Sequence, residues 1–217
     1  MRFFRRDGKL WAEARCEAGH LVDRTVYSSE GVDSSPVEPE RPSRAQAPML
    51  QEWTVIGASH ADWQRTEMTV TGSTSTGDSL LLSNQDYGEV TFSATARSPN
   101  REASLAVRMQ DAANGYLVVF IPDGLDWNHG VGGLWFTRRK GGAESSLGHY
   151  HGPLFPAVSQ NAKLSVVAAG DSFTITLNGT EVLRAKDATY AAGRVGFRIY
   201  GDSQLPCFAA FADVQIK

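Results

Sequence analysis

A chain of 217 residues with 41% hydrophobic and 21% charged side chains has room for one large domain, or one domain and an appendage, and is too apolar for wholesale disorder. Roughly 70% of the unfolded surface leaves water when a chain of this size folds, so its core needs neither metal nor disulfide staples. Lys and Arg number 21 against 24 Asp and Glu, and a net charge of −3 lacks the broad basic field that attracts nucleic-acid backbones. No apolar run nears the roughly 18 residues of a membrane span, so neither nucleic acid nor membrane is an expected partner. Met1 to Trp11 carries Arg2, Arg5 and Arg6 without the apolar stretch of a secretory signal, which predicts a soluble chain and leaves its compartment open. Cys16 and Cys207 match no zinc spacing and read as two ordinary thiols, with one bridge between them as the alternative.

In chain order, residues 1–28 read as a β-hairpin appendage. Asp7-Gly8 supplies the positive backbone angles of a two-residue turn between Arg2 to Arg6 and Lys9 to Ala14, and a further short strand is expected from Leu21 to Tyr27. Residues 29–50 carry Pro36, Pro39, Pro42 and Pro48 among Ser, Glu and Arg, and predict a linker or extended arm free to contact another domain or chain. From residue 51 to 217, short apolar and β-branched runs are cut by Gly, Asn, Asp or Pro, the punctuation of an all-β, two-sheet antiparallel sandwich. Strands are expected at Trp53–Ile56, Glu67–Thr71, Ser79–Ser83, Glu89–Arg97, Ala103–Gln110, Tyr116–Pro122 and Gly133–Arg139. Further strands are expected at Ser145–Tyr150, Lys163–Ala169, Ser172–Leu177, Thr180–Arg184, Val195–Tyr200 and Phe208–Ile216. Asn178-Gly179 is the clearest turn, with Phe173, Ile175 and Leu177 alternating with polar residues before it.

The sequence from Ala103 to Arg108, followed by Asn114-Gly115-Tyr116, Gly170-Asp171, Leu177-Asn178-Gly179, Gly193 to Arg198 and Phe211 to Ile216, resembles the concanavalin A-like jelly-roll superfamily. Within it, the order is similar to laminin-G-like domains and to 3-keto-disaccharide hydrolases, over residues 52 to 217. The resemblance implies a jelly roll with a ligand on its concave sheet. Three functions follow from it: recognition of a carbohydrate, cleavage of a 3-keto glycoside, or a protein-interaction role of the laminin-G kind.

The stretch from Asp126 to His151 carries the chemistry. Trp127, His129, Trp135, Arg139 and Tyr150 combine flat faces for sugar rings with donors and acceptors for hydroxyls. His149 and His151, two apart on a strand, share a face and are the candidate acid or base; the alternative is a solvated pair. With His129 they form a three-histidine option for a divalent metal, the cofactor otherwise unknown. Alternation sends Arg138 opposite to Arg139. Asp123 and Asp126 read as a solvated turn, and the Glu-x-Asp-x-x-Glu run of a two-carboxylate glucanase is missing. If Leu105, Val107, Val195, Phe197 and Ile199 point inward, parity places Arg108, Arg198 and Tyr200 on one outer surface.

Overall fold

The computed structural model describes residues 2–4, 10–17, 20–26, 53–57, 61–66, 69–98, 100–125, 129–153, 155–202 and 206–217. The chain divides into two units, Met1–Ser43 and Arg44–Lys217. In the first, β1 (Arg2–Phe4), β2 (Leu10–Glu17) and β3 (His20–Val26) form an antiparallel sheet in that order, with Phe3 opposite Ala12 and Ala14 opposite Arg24. The Asp7-Gly8 turn, the Pro-rich arm at 29–50, Asp126 and Trp127 lie outside the described residues.

In the second unit the strands are β4 (Trp53–Gly57), β5 (Asp62–Arg65), β6 (Thr69–Thr74), β7 (Gly77–Tyr87), β8 (Val90–Arg97), β9 (Ala103–Asp111) and β10 (Asn114–Ile121). They continue with β11 (Gly133–Lys140), β12 (Ala143–Tyr150), β13 (Ala162–Ala169), β14 (Ser172–Leu177), β15 (Thr180–Lys186), β16 (Gly193–Gly201) and β17 (Cys207–Ile216). Sheet I runs β12-β11-β10-β9-β16-β7-β4 and sheet II runs β15-β14-β13-β8-β17-β6-β5, with every ladder antiparallel. The chain crosses between sheets after β4, β6, β7, β8, β12, β15 and β16, which gives the sandwich its jelly-roll winding. β5 is the strand that the sequence pattern does not reveal. It carries Trp63, whose indole lies against Gly72 and donates Nε1–H to Ser79 Oγ at 2.8 Å. Among the described residues no helix is long and apolar enough to cross a membrane.

Alternation along the strands sends one set of side chains between the sheets. Trp53, Phe92, Phe197 and Phe211 form one aromatic group there, with the Phe197 and Phe211 ring centroids 4.2 Å apart. Tyr116, Phe136 and Phe173 form another, at 4.6 Å and 4.9 Å from Phe173. Each buried ring contributes about 1.5–3 kcal/mol of apolar transfer. The other face of sheet I is also apolar at its centre. Leu80, Leu82, Ala106, Met109, Leu117 and Val119 form a second buried cluster, against which Ile56, Ile121 and Trp135 pack. This explains the uninterrupted runs Leu80-Leu81-Leu82 and Leu117-Val118-Val119, which a sheet wet on one face would not need.

One strand departs from simple alternation at a consequential place. Between the pairs Met109 with Arg194 and Ala106 with Gly196, the two residues Val107 and Arg108 oppose the single residue Val195, a β-bulge. Arg108 adopts φ +50°, and its side chain turns into the sandwich instead of outward. Gly193, at φ +152°, makes room, since a Cβ there would lie 2.6 Å from the Arg108 carbonyl carbon.

Candidate functional site

Cross-strand register assembles the outer face of sheet I from distant segments. One row runs Ile56, Leu80, Arg198, Ser104, Val119, Trp135, His149 across all seven strands. A neighbouring pair sets Tyr200 beside Asp78, and two alternations along β11 from Trp135 lies Arg139, opposite Glu144. A bulge in β12 between Ser146 and Gly148 shifts the parity of that strand, so that both Glu144 and His149 come to this face.

Five charged side chains meet here. Arg198 Nε donates to Asp78 Oδ1 at 2.6 Å, its Nη1 donates to Glu102 Oε1 at 2.5 Å, and its Nη2 stands 3.6 Å from Glu144 Oε1. Arg139 Nη2 pairs with the other oxygen of Asp78. Ser104 Oγ reaches Glu102, and Thr137 Oγ1 reaches Glu144, each at 3.4 Å. The Arg198 and Arg139 side chains are only 7% and 11% exposed, whereas Glu144 is 31% exposed. Burial pushes the Glu102 carboxyl up, opposed by Arg198 and reinforced by Glu144 and Asp78. Burial also works against the Arg198 charge, but the carboxylates of Glu102, Asp78 and Glu144 outweigh it and raise the guanidinium pKa. Arg139 Nε and Nη1 are buried without an acceptor among the described residues. The Tyr200 ring completes the group between two guanidinium carbons, Arg101 at 4.8 Å and Arg198 at 5.2 Å from its centroid.

Beside the cluster, the Trp135 and His149 rings stack with centroids 4.7 Å apart and planes 29° from parallel. They lean over Gly133, where an added Cβ would meet the indole at 2.5 Å and His149 Nε2 at 2.8 Å. His151 takes a different partner: its Nε2 lies 3.1 Å from both carboxylate oxygens of Asp123, and its ring packs near Phe155. The Gly132 N–H donates to Asp123 Oδ1 at 2.6 Å, so the aspartate is anchored rather than freely solvated. Among the described residues, no three His, Cys, Asp or Glu side chains group as metal ligands, and the three-histidine arrangement with His129 does not form.

The structure thus brings Trp135, Arg139, His149, Arg198 and Tyr200 to one face. It removes two residues from it. Arg108 is buried, donating from Nε and Nη2 to Gly88 O and from Nη1 to Gly170 O and Tyr190 O at 2.8 and 3.1 Å, because the β9 bulge reverses its parity. Tyr150 packs against the inter-sheet core with Phe155, since it alternates with His149. Arg138 goes opposite to Arg139, as alternation predicts, and pairs with Asp187 at 2.8 Å. A separate cavity of about 300 Å³, with Gly88, Glu89, Arg108, Gly170 and Asp171 in its lining, lies at the Arg108 end of the sandwich. Asp78, Glu102 and Glu144 are residues that sequence reasoning passed over, and Asp123, read there as part of a solvated turn, is held by Gly132 and His151. They lie on separate strands and loops with no local motif, and the parity of Glu102 with Ser104 and of Asp78 with Leu80 was the available signal.

Two seven-stranded antiparallel sheets wound in this order define a concanavalin-like jelly-roll sandwich. Residues 47–217 match the 3-keto-alpha-glucoside-1,2-lyase-like domain, and the chain belongs to that family. The chain is 26% identical over 188 residues to a levanase of Bacillus subtilis (strain 168), covering 81% of this chain and 26% of the levanase. It therefore spans about a quarter of that relative's length. Its fold matches a carbohydrate binding module, CBM66, from Bacillus subtilis with a TM-score of 0.63 at 25% identity, over 76% of this chain and 95% of the module. A putative glycosyl hydrolase from Parabacteroides distasonis ATCC 8503 shares the fold at TM-score 0.54 and 13% identity, over 76% of this chain and 98% of that one. The protein is a carbohydrate-recognition or carbohydrate-processing jelly-roll domain.

Proposed function

We propose that residues 44–217 bind the end of a neutral glycan chain on the outer face of sheet I, and that a fructan of the levan type is the ligand to test first. The observation that carries this reading is the cluster of Asp78, Glu102, Arg139, Glu144 and Arg198, in which two nitrogens of Arg139 have no acceptor among the described residues. Adjacent carboxylates and guanidiniums suit a polyol, because each sugar hydroxyl both donates to a carboxylate and accepts from an arginine. The cluster holds one more carboxylate than guanidinium, which disfavours uronic acids and sulfated sugars. The Arg139–Asp78 pair joins β11 to β7 across the three strands between them, which supports entry by a chain end over passage of a chain through an open groove. The levanase and carbohydrate-module relatives support the ligand class.

The test is calorimetric titration with levan oligosaccharides and, as a comparison, with oligogalacturonides. The wild type binds the first and not the second. Glu144→Gln, at the most exposed member of the cluster, weakens binding roughly tenfold to a hundredfold, the worth of a hydrogen bond to a charged group. Equal binding of both sugars, or a Glu144→Gln variant as tight as wild type, rejects the reading.

The Asp123–His151 pair favours a second reading, in keeping with the lyase-like description of the family. The His151 imidazole is about a third exposed, and a tautomer that donates Nε2–H to Asp123 would leave Nδ1 to take a proton from a substrate. Such a base removes the acidic proton beside a keto group, and the aglycone leaves from the neighbouring carbon. Release of aglycone from a 3-keto glucoside, abolished by both His151→Ala and Asp123→Asn, supports this reading; a wild type without turnover rejects it.

A further inference from the structure

The stacked Trp135 and His149 rings belong to neither the charged cluster nor the Asp123–His151 pair, and each has a distinct surface. Trp135 is half-buried and packs against the apolar cluster of Leu80, Leu82, Ala106, Met109, Leu117 and Val119. His149 is exposed and stacks on the indole. The imidazole is therefore backed by the indole and open on the solvent side. The small residue below it is Gly133, and any larger side chain there would collide with both rings. Glu144 and His149 pair with Arg139 and Trp135, four positions apart on β11, which places them about 13 Å apart along the strand. Across the sheet, Trp135, Val119 and Ser104 stand between His149 and Arg198 in the same row of the ladder. A single sugar ring held at the cluster does not reach His149, whereas a chain leaving the cluster can.

We infer that His149, backed by Trp135, is a stacking plate for sugar units farther along a glycan whose end sits in the charged cluster. This rests on the binding reading above and deepens it, because it makes the site one for chains rather than for free monosaccharides. It also gives His149 a role that needs a flat ring and no proton transfer. Imidazole and indole faces meet the C–H faces of pyranose or furanose rings, and the backing ring fixes the plate at its angle before ligand arrives.

The experiment titrates levan oligosaccharides of two to six units into the full-length wild type and into His149→Ala, His149→Phe, Trp135→Ala and Glu144→Gln. In the wild type, affinity rises with chain length. His149→Ala leaves the shortest ligand unchanged and flattens that rise, costing roughly threefold to tenfold on the longest. His149→Phe, which keeps a ring and has no titratable nitrogen, restores it. A His149→Ala variant weakened equally at every length, or a folded His149→Phe variant no better than alanine, overturns the plate. If chains bind with Glu144 dependence but without length dependence on His149, the plate fails and the charged cluster stands. If the wild type binds none of the series, both fail.

Discussion

Arg108 and Asp187 show how much a single side chain decides at one end of the sandwich. Arg108 is a buried cation with no carboxylate in hydrogen-bond contact among the described residues. Its donors collect carbonyls from the β7–β8 turn, the β13–β14 turn and the segment before β16, and its guanidinium lies 5.1 Å from the Phe173 ring. Removing it strands those carbonyls. Arg108→Ala is expected to cost about 3 kcal/mol in urea unfolding, with the slope unchanged. A loss below 1 kcal/mol would mean that water replaces the guanidinium freely. Asp187 is nearby in function rather than in charge: it accepts from Tyr116 Oη at 2.7 Å, from the Thr189 N–H at 2.9 Å and from Arg138. Burial opposes its ionisation, but those hydrogen bonds and Arg138 outweigh burial and hold the carboxyl at about 2 against an ordinary 3.8. Burial pushes the Tyr116 hydroxyl up to about 12, so the tyrosine stays a donor. A depressed carboxylate stabilises the folded state above its unfolded pKa, and that contribution disappears as pH falls from 3.8 toward 2. Asp187→Asn is expected to flatten the acid limb of a stability–pH profile within that window and to leave its slope near neutrality alone.

At the scale of strands, bulges and turns set which residues share a face. The β9 bulge turns Arg108 inward, and the β12 bulge keeps Glu144 and His149 together. Gly193 sits against the first of these at a backbone angle that side chains avoid. Gly193→Ala is expected to destabilise by about 2 kcal/mol or more, read as a lowered melting temperature, because its Cβ has no space and φ must change. The Asn178-Gly179 turn behaves as its sequence predicts: Asn178 takes φ +52°, and its side chain accepts the Lys163 N–H at 2.8 Å. Asn178→Ala is expected to cost about 1 kcal/mol, through both the lost hydrogen bond and the left-handed backbone. Turn and strand existence are readable because they rest on neighbours in sequence. A bulge is not, because the extra residue is chosen by how two partner strands must twist.

At the scale of the second unit, the aromatic groups between the sheets hold the platform on which the outer face is displayed. Phe197 stacks on both Trp53 and Phe211 and lies between the two sheets, adjacent in β16 to Arg198. Phe197→Ala is expected to cost about 3–5 kcal/mol and to lower the melting temperature by roughly 10 °C. It should also weaken glycan binding through Arg198, whereas the loss of Val167, exposed on sheet II, should do neither. Thermal melts alongside titrations separate these outcomes.

The sandwich, its strand order of apolar and polar residues, the sharp turns, the family resemblance and the outward parity of Arg198 and Tyr200 were determined by the sequence itself. Those features follow from local period, turn chemistry and parity, which act over a few residues. The carboxylates of Asp78, Glu102 and Glu144, the anchoring of His151 by Asp123 and the inward turn of Arg108 were decided by tertiary structure alone. Their partners lie as many as 120 residues away along the chain, and only the pairing of β7, β9, β11, β12 and β16 into one sheet brings such charges within hydrogen-bond distance.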